Sequence, residues 1–526
     1  MPSVRPDSQC AENRVPISGD TRPVASALAL LWTFRPKTTI YNLLRLLGAR
    51  RGDGRAFIQD DVKQALKELR EHGLLVDMPN REGFHRLKDE LRAPLYRELL
   101  ETQQPEDLRQ ALFELDSYRP ERGLYHYWSI YDRSATIALV RVALFSGMPA
   151  EELKRMSAAI GRTMDWGGIL YEAAFAAFDG GSFQRVTPDW RWDLLFEAAS
   201  ALSLSWRADL VPACDWALAR FDVEGGSMPQ HLRLALAELL LHRGESERAA
   251  RVLDGLDSGA ADALRAGLLV QAGRWQDGQA AFEAALKRRG DEIGARKRIL
   301  PASLAWLYPI ALLAQQSPKH LEAARKFCVG EAGKRTPDPG EGWGRWAHAI
   351  GARLGDFALE ARAFDLGWNR GIHTGLDELW RLLLAAWLGR DAIGSKPAKV
   401  PFEDRLASFV QALQERLKPC RLDWLAGQAE AAAAVLRGQD PPAGFFVSGQ
   451  SEQWRDVLAA LQALGAEKSG AGEASTAARI VWAIRVGKHG ALEDIEPLEQ
   501  KRGPRGWSKP KPLSLAKIAG SDKLPP

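Results

Sequence analysis

A short basic stretch carries the side chains of this sequence best suited to binding chemistry. Lys63, Gln64, Lys67 and Arg70 fall within eight residues, and positions 63, 67 and 70 share one side of a helix. Lys and Arg on such a side neutralise phosphates, and Gln can hydrogen-bond a base edge. Arg81, a little further along, is a fifth candidate, for a backbone or minor-groove contact. The spacing favours contact with DNA, although a solvated helix face or a protein-binding surface can carry the same residues.

Catalytic motifs are missing from the sequence. It contains no GxxxxGK[ST], HExxH or GxSxG string, and no GxGxxG that follows a strand. Nine histidines are spread singly, and the nearest approach to a site is His373 with Asp377 and Glu378. The four cysteines show no CxxC spacing, which indicates neither zinc nor a disulfide framework. The sequence therefore predicts a protein that is not an enzyme, holds no metal or cofactor and does not hydrolyse ATP.

Three predicted helices and a hairpin must position the basic stretch within residues 21–92. The helices are expected over 24–34, 40–47 and 60–72. In the third, apolar residues recur at i, i+3, i+4 and i+7. Strands are expected at 74–78 and 84–87, on either side of a turn. The segment carries 14 Lys and Arg against 9 Asp and Glu, a charge of about +5. The element order and the string HGLLVDMPNREGFHRL resemble a winged helix-turn-helix, which implies DNA contacts from the third helix and the wing.

Residues 94–465 have a helical pattern almost throughout, and part of it repeats. The strings LALAELLLHRGESERAARVL, LRAGLLVQAGRWQDGQAAFEAAL and RWAHAIGARLGDFALEARAF each place a glycine between two helices, at Gly244, Gly273 and Gly355. An apolar residue follows nine positions after each glycine. This resembles the tetratricopeptide pattern with an irregular period. The resemblance implies a superhelix whose concave surface binds a protein partner.

The two ends of the chain differ from this helical region. Residues 1–20 are expected to be a disordered tail, and the small polar residues 466–477 a linker. Residues 478–526 are expected to hold one strand, 479–486, without visible partner strands, as the start of an incomplete domain. A basic, Pro-rich tail follows, and its candidate DNA-binding side chains are Lys501, Arg502, Arg505, Lys509 and Lys511.

The C-terminal strings RIVWAIRV, IEPLEQKR, GWSK and PLSLAKI are similar to the segment that precedes the motor in large bacterial Swi/Snf-like helicases. In those proteins a long helical region without motor motifs comes first. Pro510 stands where the family has a glycine after the GWSK lysine, and no catalytic residue of the family maps onto this chain. The resemblance implies a detached or truncated N-terminal region that works with an ATPase motor in cis or in trans.

Composition limits the remaining choices. Lys and Arg number 71 against 67 Asp and Glu, so the net charge of +4 is too small for a chain that coats nucleic acid along its length. The absence of a signal peptide and of a 20-residue apolar run predicts a cytoplasmic protein without a membrane partner. We expect a mainly α fold: a winged helix, then an irregular tetratricopeptide-like α-solenoid, then a short strand and tail. Three functions remain open: a non-catalytic helicase-associated region, a transcription regulator with a repeat sensor, and a protein-interaction scaffold.

Overall fold

The structure, a computed structural model, divides into two units, Met1–Ser451 and Glu452–Pro526. Within the first unit it describes residues 17, 19–117, 133–161, 165–224, 227–294, 300, 302–315, 317–334, 350, 379, 382–383, 386 and 402–440. Within the second it describes the backbone of 478–486, 492–503, 506–507 and 511–512. Most of the described residues are helical, which confirms the prediction of a mainly α fold.

The first unit begins with three helices and a small antiparallel sheet. The sheet has the strand order β1-β3-β2, and Arg35 lies opposite His85 while Leu75 lies opposite Leu87. The predicted helices and the two hairpin strands agree with these bounds within three residues, whereas the two-residue strand β1 was not predicted. In chain order the elements are α1 (Thr21–Leu31), β1 (Arg35–Pro36), α2 (Lys37–Leu46), α3 (Gln59–Glu71), β2 (Leu75–Asp77) and β3 (Phe84–Leu87).

Two residues at the end of the predicted disordered tail have defined partners in the structure. Ile17 is buried, and its carbonyl oxygen accepts a hydrogen bond from the guanidinium of Arg22 at 3.1 Å. Asp20 accepts hydrogen bonds from the backbone N–H of Gly52 at 2.7 Å and from Arg51 Nε at 3.0 Å. The prediction of disorder was therefore wrong for Ile17 and Asp20, because their partners lie elsewhere in the sequence. Residues 1–16 lie outside the described residues.

Helices make up the rest of the described part of the first unit. Helix α4 crosses the predicted boundary near residue 93 and packs against α1, so the N-terminal elements continue directly into the helical region. The helices are α4 (Asp89–Thr102), α5 (Pro105–Ser117), α6 (Arg133–Phe145), α7 (Ala150–Ile160), α8 (Trp166–Phe175), α9 (Gly180–Phe183), α10 (Pro188–Ser205), α11 (Val211–Glu224), α12 (Gln230–Arg243), α13 (Ser246–Leu253), α14 (Gly259–Gln271), α15 (Trp275–Ile293), α16 (Ala302–Ala305), α17 (Leu307–Leu313), α18 (Pro318–Lys334), α19 (Phe402–Leu417) and α20 (Asp423–Leu436).

A buried arginine joins the N-terminal elements to the helical region. The guanidinium of Arg141, on α6, lies 3.4 Å from the ring centroid of Trp32 at the end of α1, and 5.3 Å from that of Tyr96 on α4. It also donates a hydrogen bond to the carbonyl oxygen of Ala173 on α8 at 2.6 Å. Burial lowers the pKa of Arg141 to about 9. Aromatic faces and backbone carbonyls replace the water that this cation loses, so four helices share one core.

Two helical hairpins contain the glycines that the repeat pattern singled out. Gly244 separates α12 from α13 with φ +86°, and Gly273 separates α14 from α15 with φ +73°. Both angles lie in the left-handed region, where glycine pays no steric penalty. A Cβ atom on Gly278 would lie 2.6 Å from the Cγ2 atom of Val270, so α14 and α15 touch at a point that only glycine permits. Gly355 lies outside the described residues, and the tetratricopeptide assignment stays a prediction.

Helix α20, near the end of the first unit, packs against α12, which lies much earlier in the sequence. Helix α12 packs against α10, α13 and α14, and also against α20 near the end of the first unit. Arg421, just before α20, donates a hydrogen bond to Asp215 on α11 at 2.8 Å, and Arg243 donates to the same carboxylate at 2.7 Å. The chain's own helix α20 therefore covers part of the α12 surface.

The second unit contains a strand pair where one unpaired strand was expected. Strand β4 (Ala478–Val486) pairs antiparallel with β5 (Leu492–Gly503), with Ala478 opposite Lys501. Short strands β6 (Gly506–Trp507) and β7 (Lys511–Pro512) also pair with β5. The expectation of a strand without a partner was wrong, because β5 contains many charged residues and a proline, which are rare in strands. The predicted linker 466–477 lies outside the described residues.

Candidate nucleic-acid interface

Helix α3 presents the predicted basic stretch because its other side is fully packed. Val62, Ala65, Leu66 and Leu69 are buried, and α3 packs against α1 and α2. The exposed side therefore carries the polar residues of the stretch. A shallow surface cleft is lined by Asp60, Lys63, Gln64, Lys67 and Arg70.

The start of α3 is held by a carboxylate on its own first turn. Asp61 accepts a hydrogen bond from the backbone N–H of Ile58 at 2.9 Å and another from the guanidinium of Arg51 at 2.9 Å. The first bond satisfies an N–H that the helix itself leaves without a partner. The second fixes the loop between α2 and α3 to the first turn of the helix.

Lys63 and Lys67 differ in whether an acidic side chain pairs with them. Both are exposed, and within the described part of the chain no acidic group pairs with Lys63. Lys67 Nζ lies 3.7 Å from Glu71 Oε1, and both side chains are more than half exposed. Such exposed pairs are weak and salt-sensitive. Lys63 is thus the cation of α3 most available to a phosphate, and Lys67 becomes available at little cost.

Gln64 is the predicted base-reading residue, and its amide already has one partner. Its Nε2 donates to Glu68 Oε1 at 3.1 Å, while the hydroxyl of Thr21 donates to the other oxygen of the same carboxylate. The hydrogen bond from Thr21, followed by the one from Gln64, lowers the pKa of Glu68. Bidentate recognition of adenine needs both the amide nitrogen and the amide oxygen. Gln64 must therefore release Glu68 before it can read a base in this way.

The guanidinium of Arg70 is occupied by the hairpin. Its Nε and one terminal nitrogen each lie 3.1 Å from a carboxylate oxygen of Asp77 on β2. His85 Nδ1, on β3, lies 2.6 Å from the same carboxylate. The hydrogen bonds from Arg70 lower the pKa of Asp77, and His85 adds to the effect. In this geometry Arg70 links α3 to β2 and β3, and a phosphate contact from it would require that link to break.

Arg81 lies on the exposed turn between β2 and β3. The turn needs left-handed backbone at Asn80, with φ +62°, and at Gly83, with φ +79°. The Arg81 guanidinium lies 3.9 Å from the ring centroid of Phe84, a cation–π contact that orients the side chain along the hairpin. Arg81 is exposed on this turn, and its role as a wing-tip contact stays a prediction.

The basic residues of the C-terminal segment belong to the other unit. Lys501 and Arg502 lie in β5, and Lys511 lies in β7, opposite Glu499. Arg505 and Lys509 lie outside the described residues. The structure therefore places the four predicted residues of α3 and Arg81 in the first unit, and the three described tail residues in strands of the second.

Two arginines in the α2–α3 loop were missed by the sequence analysis. Arg50 and Arg55 are exposed, and in the described ranges no carboxylate forms an ion pair with either guanidinium. Arg51, between them in sequence, lies within 3.7 Å of carboxylate oxygens of Asp20, Asp53 and Asp61. The available signal was the string ARRGDGR, where three arginines and two glycines fall in seven residues.

Reactive groups elsewhere in the described regions are either buried or scattered. No group of three or more metal-ligating side chains occurs among these residues. Burial raises the pKa of the Cys420 thiol to about 11 and that of Cys214 to about 12, which leaves both in the unreactive thiol form. His373, Asp377 and Glu378 lie outside the described residues. Among the helices of the described residues, none is long and apolar enough to cross a membrane.

Comparison of the chain with models of protein families, with curated proteins and with solved structures found no match.

Proposed function

We propose that this chain is a non-catalytic, DNA-engaging region of a bacterial Swi/Snf-like helicase system. Its N-terminal elements bind DNA as a winged helix-turn-helix, and its helical array binds a protein partner. The observation that carries the DNA-binding role is the surface of α3, where Lys63 has no acidic partner in the described ranges and Lys67 has only a weak one. These cations share an exposed face with Gln64, beside a hairpin that ends in Arg81.

The arrangement of the N-terminal elements supports this proposal. A short strand follows the first helix, and the sheet order β1-β3-β2 places that strand beside the second strand of the hairpin. The helix before the hairpin is the one that leaves its basic face exposed. In helix-turn-helix proteins the recognition helix lies in the major groove and presents such a face to the DNA.

The helical array supports a role in protein binding. Its hairpins α12–α13 and α14–α15 stack against one another, as they do in repeat proteins that bind partners along an extended surface. The similarity of the C-terminal strings to the pre-motor segment of Swi/Snf-like helicases suggests an ATPase motor as that partner. The motor activity belongs to the partner region, since this sequence contains no phosphate-binding loop.

Duplex binding by the full chain tests the DNA-binding role and separates it from the alternatives. Fluorescence anisotropy with several unrelated 20-base-pair duplexes should show similar affinities that fall steeply as salt rises. Strong preference for one palindromic sequence would instead favour the transcription regulator. No binding at low salt would favour the interaction scaffold.

The partner role needs a separate experiment. Tagged full-length chain is used for affinity capture from its native host, and bound proteins are identified by mass spectrometry. An ATPase motor among the specifically captured proteins is expected. Reproducible capture that never includes an ATPase would contradict the helicase assignment while leaving the DNA-binding role intact.

A further inference from the structure

The loop between α2 and α3, residues 47–58, carries a second set of exposed cations. Arg50 and Arg55 are both exposed, and neither guanidinium forms an ion pair in the residues that the structure describes. The Asp53 carboxylate does accept a hydrogen bond from the backbone N–H of Arg55 at 3.0 Å. The loop contains three arginines against one acidic residue, Asp53. Two unpaired guanidinium groups therefore lie on a short segment that leads directly into the candidate DNA-binding helix.

Backbone hydrogen bonds give the loop a defined shape. The backbone N–H of Arg51 donates to the carbonyl oxygen of Arg55, and that of Gly54 donates to the carbonyl oxygen of Arg51, both at 2.9 Å. Arg50 and Ala56 form an antiparallel bridge just outside this turn. Gly54 adopts φ +81°, which glycine tolerates well. Arg50 and Arg55 thus stand at the base of a closed turn instead of on an open chain.

Arg51 anchors this turn to the rest of the unit. Its guanidinium is bonded to Asp20, before α1, at 3.0 Å and to Asp61, on the first turn of α3, at 2.9 Å. Asp20 also accepts a hydrogen bond from the backbone N–H of Gly52 at 2.7 Å, and these bonds lower the pKa of Asp20. The middle arginine is therefore structural, and its two neighbours remain available for a ligand.

We propose that residues 47–58 form a phosphate-binding arm for duplex DNA, with Arg50 and Arg55 as its contacts. This inference rests on the proposed DNA-binding role of α3. A helix in the major groove has a phosphate backbone along each edge of the groove. A cationic loop fixed to the first turn of that helix reaches the phosphate backbone of the DNA. Guanidinium groups bind phosphate oxygens more strongly than they bind the carbonyl oxygens of a protein surface, so DNA is the better ligand.

The double variant Arg50→Ala/Arg55→Ala in the full chain tests the arm. Losing two phosphate contacts should make the log–log salt slope of duplex binding shallower by about 1.8. If affinity at 1 M salt is unchanged, binding at 0.1 M salt should weaken by about sixtyfold. The matched control is Arg155→Ala/Arg437→Ala, which removes two exposed arginines on α7 and just after α20 and changes the net charge equally. The control should bind as the wild type does.

Three outcomes decide the proposal. If the Arg50/Arg55 variant has the same salt slope of duplex binding as the wild type, the arm is overturned. Loss of binding in a Lys63/Lys67 variant would in that case still support the α3 interface. Absence of duplex binding by the wild type overturns both. An equal loss of slope on single-stranded DNA of the same length overturns the assignment to a duplex.

A second variant tests whether the anchored shape of the loop matters. Asp20→Ala removes the acceptor that holds Gly52 and Arg51, and it also makes the protein more positive. The arm requires weaker duplex binding in this variant, because the loop loses one of the two carboxylates that anchor it. Tighter binding would indicate a diffuse positive surface and would overturn the arm. A circular dichroism melt confirms that the variant is folded at the assay temperature.

Discussion

Replacing Lys63 and Lys67 with alanine should remove two phosphate contacts and leave the fold intact. Both side chains are exposed, and Lys67 has only the 3.7 Å pair with Glu71 to lose. Each phosphate contact contributes about 0.9 to the log–log salt slope, so the double variant should lose about 1.8. If affinity at 1 M salt is unchanged, this slope implies about eightfold weaker binding per contact at 0.1 M salt.

The assay is fluorescence anisotropy of a labelled duplex at four salt concentrations between 50 and 200 mM. Lys319→Ala/Lys418→Ala serves as the control, because both lysines are exposed and the charge change is identical. Unrelated duplex sequences should be affected alike, since phosphate contacts carry no base information. An unchanged slope in the Lys63/Lys67 variant would refute the assignment of this face to DNA.

Three further predictions concern the elements that support the interface. Arg70→Ala should lower the free energy of unfolding by up to about 1 kcal/mol, because the Arg70–Asp77 ion pair is half exposed. The salt slope of DNA binding should stay unchanged, and a slope loss of about 0.9 would mean that Arg70 does contact phosphate. Gly278→Ala should lower the thermal midpoint of unfolding, because the new Cβ atom would lie 2.6 Å from Val270. The control Gly330→Ala has open space around the new Cβ atom and should raise the midpoint slightly. Equal shifts in the two variants would contradict the close α14–α15 contact. Burial lowers the pKa of His242 to about 4, so the unfolded chain binds more protons between about pH 6.5 and pH 4, and stability should fall as pH falls through that window. In His242→Leu the pH dependence of the thermal midpoint should flatten there; an identical profile would contradict it.

Local patterns were enough to predict the elements that carry the interface. The i, i+3, i+4, i+7 stripe of Val62, Ala65, Leu66 and Leu69 identified both the helix and its buried side, since each of these residues is buried. The exposure of the polar side follows directly. Gly273 was predictable for a similar reason, because a left-handed helix end favours glycine strongly.

Partners that lie far apart in sequence were not predictable from local patterns. Nothing near Arg70 indicates that Asp77 will occupy it, because this pairing depends on how the hairpin folds back over α3. Asp20 was assigned to a disordered tail for the same reason, although Gly52 and Arg51 hold it in place. Arg141 looked like any helical arginine, and only the packing of α1, α4 and α6 encloses it among aromatic rings.

The most direct test of the DNA interface is site-specific crosslinking. The photoreactive residue p-benzoylphenylalanine replaces Gln64 in one variant and Gln411 in another, and each is irradiated with a labelled duplex. The two sites are closely matched, because each glutamine is exposed on a helix and donates to a glutamate four residues later, at 3.1 Å and 2.9 Å respectively. Position 64 should give an efficient crosslink that disappears at high salt, and position 411 should give little crosslinking. Equal crosslinking from both positions, or none from position 64 under conditions where the duplex is bound, would contradict the DNA interface on α3.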